Sequence, residues 1–138
     1  MSKLAERLGD AARSGVYRVT ATDAVEDAAR RARLTVSPVT LAGGKAAWLE
    51  AFARALAFPD WFGGNWDALE DCLTDLAPGE GHLLLLRGAP AAPRDELGVL
   101  LDILDSTAGY WKSRGKPFFA VLVDPGRELE LGDLYREA

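Results

Sequence analysis

A chain of 138 residues, 49% hydrophobic and 27% charged, fits a single domain able to bury its own core. No apolar stretch approaches the roughly 20 residues needed to cross a bilayer, Lys3, Glu6, Arg7 and Asp10 interrupt any secretory apolar region, and the single cysteine, Cys72, excludes an internal disulfide. These features point to a soluble protein in a reducing compartment, the cytoplasm; the net charge of −5 disfavours nucleic acid or an anionic membrane as partner, because both select clustered Lys and Arg.

In chain order, Ser2 to Ala12 reads as a short amphipathic helix with Leu4 and Leu8 on one side. Gly15 ends it, and Val16–Thr20 alternates like a strand. Thr22 or Asp23 caps a helix to about Arg31. Leu34–Leu41 is a β-branched, apolar strand carrying Pro38, which removes a ladder donor and so predicts a bulge or an edge position. After Gly43-Gly44 comes a helix with Leu49, Phe52 and Leu56 on one face. Phe58 to Gly64 reads as a loop, and Asn65 as the N-cap of a helix from Trp66 to Leu76, stopped by Pro78, Gly79 and Gly81.

His82–Leu86 is a nearly continuous apolar run, the mark of a strand covered on both faces. The next helix has Pro93 near its first position, Asp95 and Glu96 in its first turn, Lys112 and Arg114 in its last, and Gly115 as its stop. Leu97, Leu100, Leu101, Leu104, Ala108 and Trp111 form its apolar stripe. Phe118–Val123 is a second covered strand, and residues 126–138 read as a polar tail. Strands alternating with helices, two of the strands buried, predict one α/β domain with a small, mainly parallel sheet packed by helices.

The charge is unevenly distributed. Between Arg54 and Arg87 there is no basic residue, while Asp60, Asp67, Glu70, Asp71, Asp75 and Glu80 are acidic. On a helical wheel, Leu69, Cys72, Leu73 and Leu76 gather on one side of the helix starting at Trp66, and Asp67, Glu70, Asp71 and Thr74 on the other. Asp67 and Asp71 are like charges four residues apart, an arrangement that costs a helix a few tenths of a kcal/mol. A purely solvated face usually mixes signs. This one has acids only, beside Trp61, Phe62 and Trp66, of which Trp61 and Trp66 are the expected exposed members and Phe62 a candidate for the core, so a protein-binding face stands open beside a solvated one.

The run Pro59-Asp60-Trp61-Phe62-Gly63-Gly64-Asn65-Trp66-Asp67-Ala68-Leu69-Glu70-Asp71-Cys72-Leu73 resembles the signature of the barstar family of ribonuclease inhibitors. The resemblance extends from about Arg33 to Val123, with Gly115-Lys116-Pro117 and the last apolar strand matching the family's ending. It implies a barstar-like domain over residues 33–125, with residues 1–32 an N-terminal extension (a helix and an extra strand and helix) and residues 126–138 a tail. It implies further an inhibitor, antitoxin-like and not an enzyme, that occludes the cationic active site of a small basic ribonuclease of the barnase type, one to one and without a cofactor. Carboxylates fixed on a helix would take the positions of RNA phosphates there. By the same resemblance, Asp71 enters the nuclease site and Asp67 flanks it. Trp61 stacks, Gly63 and Asn65 shape the loop, and Phe62, Trp66, Glu70, Thr74 and Tyr110 complete the face. Two positions depart from the family pattern: Glu70 stands in place of a bulky aromatic, and Tyr110 in place of a glutamate that contacts the nuclease.

Other readings compete. His82 is the only histidine, so no Ser-His-Asp or Cys-His arrangement exists without it, and its position at a strand entrance suits a structural role. Cys72 falls on the apolar side of its helix and reads as a small buried hydrophobe. Arg30, Arg31 and Arg33 fit the C-terminal end of a helix without any nucleic acid, and Trp48 and Trp111 fit packing. An enzyme would need Asp67, Glu70 and Asp71 to hold Mg²⁺ with Asp124, a shallow arrangement with no general base beside it. A barstar-like module directed at some other basic protein is the third reading.

Overall fold

The computed structural model describes residues 3–60 and 62–135. Four strands, β1 (Gly15–Val19), β2 (Thr35–Thr40), β3 (His82–Arg87) and β4 (Phe118–Val123), form one sheet in the order β1-β4-β3-β2. Every pairing is parallel: Gly15 lies opposite Phe119, Leu83 opposite Phe119 from the other side, and Pro38 opposite Leu85. Five helices pack on it: α1 (Lys3–Leu8), α2 (Asp23–Arg31), α3 (Lys45–Ala55), α4 (Trp66–Thr74) and α5 (Arg94–Lys112). The fold is the expected small α/β domain with a parallel sheet.

The two central strands carry the continuous apolar runs because both their faces are covered. Alternate residues divide between two cores. Leu84, Leu86, Phe118, Ala120 and Leu122 face α3, α4 and α5, where Trp48, Phe52, Leu69, Leu73, Leu100 and Leu104 close over them. Leu83, Leu85, Phe119 and Val121 face α1 and α2, where Leu8, Val25, Ala28 and Ala29 pack. Pro38 sits in edge strand β2 with no break in the register, so of the two ways to accommodate it the chain uses the edge.

Several boundaries differ from expectation. α4 ends at Thr74, two residues early, where the N–H of Asp75 bonds the carbonyl of Cys72 in a tightened last turn. On α5, Leu101 is half-buried while Ile103 and Thr107 are buried; the Thr107 hydroxyl is satisfied internally by the Ile103 carbonyl at 2.8 Å. The segment expected as a polar tail contributes Leu129 and Leu134, at 5% and 0% exposure, to the two cores. It lies along β1: the N–H of Arg18 bonds Gly132 O at 2.9 Å, the N–H of Leu134 bonds Arg18 O at 3.0 Å, and the Arg18 guanidinium pairs with Asp133 at 2.9 Å. The outer edge of β1 is thereby covered, while among the described residues no segment pairs with the outer edge of β2.

Candidate protein-binding face

The loop before α4 is built by local hydrogen bonds. Phe62 N–H closes a turn onto Pro59 O at 2.9 Å, and the Phe62 ring packs at 5.0 Å on Phe58 and against the core, lining a surface cleft with Ala46, Leu49 and Ala53 of α3. Half-buried Phe62 therefore anchors the loop to the domain. Gly64 takes the left-handed conformation (φ +69°), which a side chain resists. Gly63, the glycine expected to shape the loop, does not; a Cβ there would meet the Asn65 amide nitrogen at an ordinary 3.4 Å. Asn65 is the N-cap as expected, its side-chain oxygen accepting from the N–H of Ala68 at 2.7 Å. Trp61 lies outside the described residues.

Helix α4 divides as its periodicity requires. Leu69 and Leu73 are fully buried and Cys72 is 3% exposed, which fixes the rotation of the helix. Asp67 and Asp71 then project into solvent, with Glu70 and Thr74 half-buried on their flank. The Thr74 hydroxyl is turned back onto the helix, donating to Glu70 O at 3.0 Å and Asp71 O at 3.2 Å. Among the described residues no cation comes within ion-pairing distance of Asp67, Glu70 or Asp71. Burial first, and then the charges of Asp75 and Asp71, push the Cys72 thiol above its ordinary range, which disfavours the nucleophilic thiolate.

The fold brings cations to both ends of this helix, which the sequence reading missed. At the N-terminal end, Lys45 Nζ lies 5.4 Å from the ring centroid of half-buried Trp66. At the C-terminal end, α5 is tied to α4 by Trp111 Nε1–H donating to Leu73 O at 3.1 Å, and Lys116 Nζ donates to Gly79 O at 2.9 Å. One residue before Trp111, the Tyr110 ring carries the Arg114 guanidinium at 3.6 Å; an Arg114 N–H also bonds Tyr110 O at 3.1 Å and Ser113 Oγ at 3.2 Å. The four-residue spacing of Tyr110 and Arg114 was the available signal for this pair. For Lys45 there was none, because its contact with Trp66 is made only by the docking of α3 beside α4.

The remaining candidates have structural partners. His82 is 7% exposed, with Nε2 at 2.7 Å from Ala77 O, and links the strand start to the end of the α4 segment. Asp124 is fully buried and both its oxygens accept backbone N–H groups, from Glu128 at 2.9 Å and Leu129 at 2.8 Å, so its carboxylate closes a turn. Among the described residues no three His, Cys, Asp or Glu side chains converge where a metal ion could sit.

The fold and the site define a small α/β domain with a parallel sheet, carrying a capped, acid-faced helix beside an anchored glycine loop. The sequence matches the barstar (barnase inhibitor) family over residues 39–123, a span that runs from the last two residues of β2 through α3, the loop, α4, β3 and α5 to the end of β4. This chain belongs to the barstar family, whose members are inhibitors that bind a ribonuclease. No curated protein matches it. Among the described residues no helix is long and apolar enough to cross a membrane.

Proposed function

We propose that this chain inhibits a barnase-type ribonuclease by direct one-to-one occlusion, with Asp71 entering the nuclease's cationic site, Asp67 beside it, and Trp61 and Trp66 packing around them. The observation that supports this reading most is the outward pair Asp67 and Asp71, held on a capped helix with no cation of the described residues paired to either. A helix accepts such a like-charge pair at a small cost in stability, and a cationic cleft converts that cost into charge-assisted hydrogen bonds. Asn65 and Phe62 hold the loop that carries Gly63, while Glu70, Thr74 and Tyr110 form the border of the contact. The protein would act in the cytoplasm, as an antitoxin does, and needs no catalytic group.

The test is inhibition of RNA cleavage by barnase, used as the probe nuclease, with the parent protein and with Asp71→Ala. Removing one partner from a buried, paired charge costs about 3–5 kcal/mol, roughly a hundredfold to a few thousandfold in affinity. The variant should fold as stably as the parent or slightly better, because one member of the like-charge pair is gone. Equal inhibition by both proteins would remove Asp71 from the docking surface.

A further inference from the structure

The geometry points to a second element of recognition on this face: Arg114, seated on Tyr110, is a cationic contact for a carboxylate on the partner, next to the partner's basic cleft. This rests on the inhibitor reading above and specifies the partner more narrowly.

The acidic centre of the sequence suggested a face of one sign. Instead, α4 spans nine residues, about 13.5 Å of helix axis; Lys45 lies over Trp66 at its start, and near its end Leu73 O holds Trp111 of α5, the helix whose C-terminal Tyr110 carries Arg114. Neither cation is used up inside the protein. Among the described residues neither Lys45 nor Arg114 is in an ion pair, and both are exposed.

Arg114 is the better defined of the two. Its guanidinium lies 3.6 Å over the Tyr110 ring, and its Nη1 is held by Tyr110 O and Ser113 Oγ. A guanidinium held over an aromatic ring and by two hydrogen bonds at one nitrogen keeps its other N–H groups for a second partner, and part of its rotamer entropy is spent before binding. That edge matches a carboxylate with two parallel hydrogen bonds. The same edge set against another cation would be repelled, in a contact where little water remains to screen the charges. Arg114 therefore selects among basic nucleases: it favours one whose cleft is rimmed by an acid at this point and penalises one whose rim is cationic throughout.

The experiment titrates barnase with the parent, Arg114→Glu, Arg114→Gln and Asp71→Ala, checking each variant's fold by circular dichroism. In parallel, the parent and Arg114→Glu are titrated with barnase variants in which single Lys or Arg residues on the rim of the cleft are changed to Glu. Arg114→Glu should bind parental barnase at least about tenfold more tightly than the parent protein does, with Arg114→Gln between them. One rim variant should gain affinity for the parent protein and lose that gain against Arg114→Glu. If Asp71→Ala weakens binding while Arg114→Glu leaves it within about twofold, or if no rim variant shows the coupled gain, Arg114 is not a contact and only this inference falls. If neither Asp71→Ala nor Arg114→Glu changes binding, or no pair binds at all, the inhibitor reading and this inference fall together.

Discussion

Cys72 illustrates how position on a helix decides chemistry. It lies on the inner side of α4, 3% exposed, and burial followed by the charges of Asp75 and Asp71 raises its thiol pKa. Folding thus favours the protonated thiol, so the unfolded chain releases its proton first as pH rises. Stability contributed by this group is fully present below the unfolded thiol's pKa and falls as pH climbs from there toward the raised folded value. Urea denaturation across the alkaline side of neutrality should therefore show the parent losing stability faster than Cys72→Ala, and native protein should react with a thiol reagent far more slowly than denatured protein. Parallel pH curves for parent and variant would contradict this. The placement of Cys72 was legible in the sequence because Leu69, Cys72 and Leu73 share one side of a helical wheel. The cations beside the acidic face were not. Lys45 stands 21 positions before Trp66 in sequence, and only tertiary packing brings the two together.

At the scale of elements, the loop and α4 depend on a few local bonds. Asn65 accepts from Ala68 N–H at 2.7 Å at the helix N-terminus, and Gly64 supplies the positive φ just before it. Asn65→Ala leaves that donor to water and should cost about 1 kcal/mol of stability. The expected result is a lower urea midpoint with an unchanged dependence on denaturant concentration, since the surface exposed on unfolding is the same. A midpoint equal to the parent's would mean the cap contributes nothing. Elements of this kind announce themselves by local chemistry: a cap before an apolar period, a proline in an edge strand, an unbroken apolar run in a covered one. The segment from Leu129 to Leu134 has no such period. Leu129 and Leu134 are held by way of Arg18, whose Nη1 donates to Leu129 O at 2.7 Å while its Nε pairs with Asp133, contacts spanning more than a hundred residues of sequence. That hydrogen bond from Arg18 also holds the Asp133 carboxyl below the usual carboxylate range. A sequence pattern carries no sign of a pairing that only the closed fold creates.

For the whole molecule the decisive quantity is how far its charge reaches. The net charge is −5, and the stretch between Arg54 and Arg87 holds six acids with no base. At low salt, where the screening length is about 30 Å at 0.01 M, a basic partner senses that total and is drawn toward the protein. Near 0.15 M the length falls to about 8 Å, shorter than the roughly 13.5 Å of α4 itself. The approaching surface then senses Asp67 and Asp71 separately from Lys45 and Arg114. Attraction should thus weaken with salt less steeply than it would for a face of acids alone, and the loss should fall on encounter, because contacts already closed exclude the salt that screens them. Stopped-flow mixing with barnase over a salt series should show the association rate falling while the dissociation rate changes less. The same series with Arg114→Glu should give faster association at every salt concentration, with the relative advantage largest where screening is weakest. An association rate indifferent to salt would mean that the acidic face of α4 does not guide the partner in.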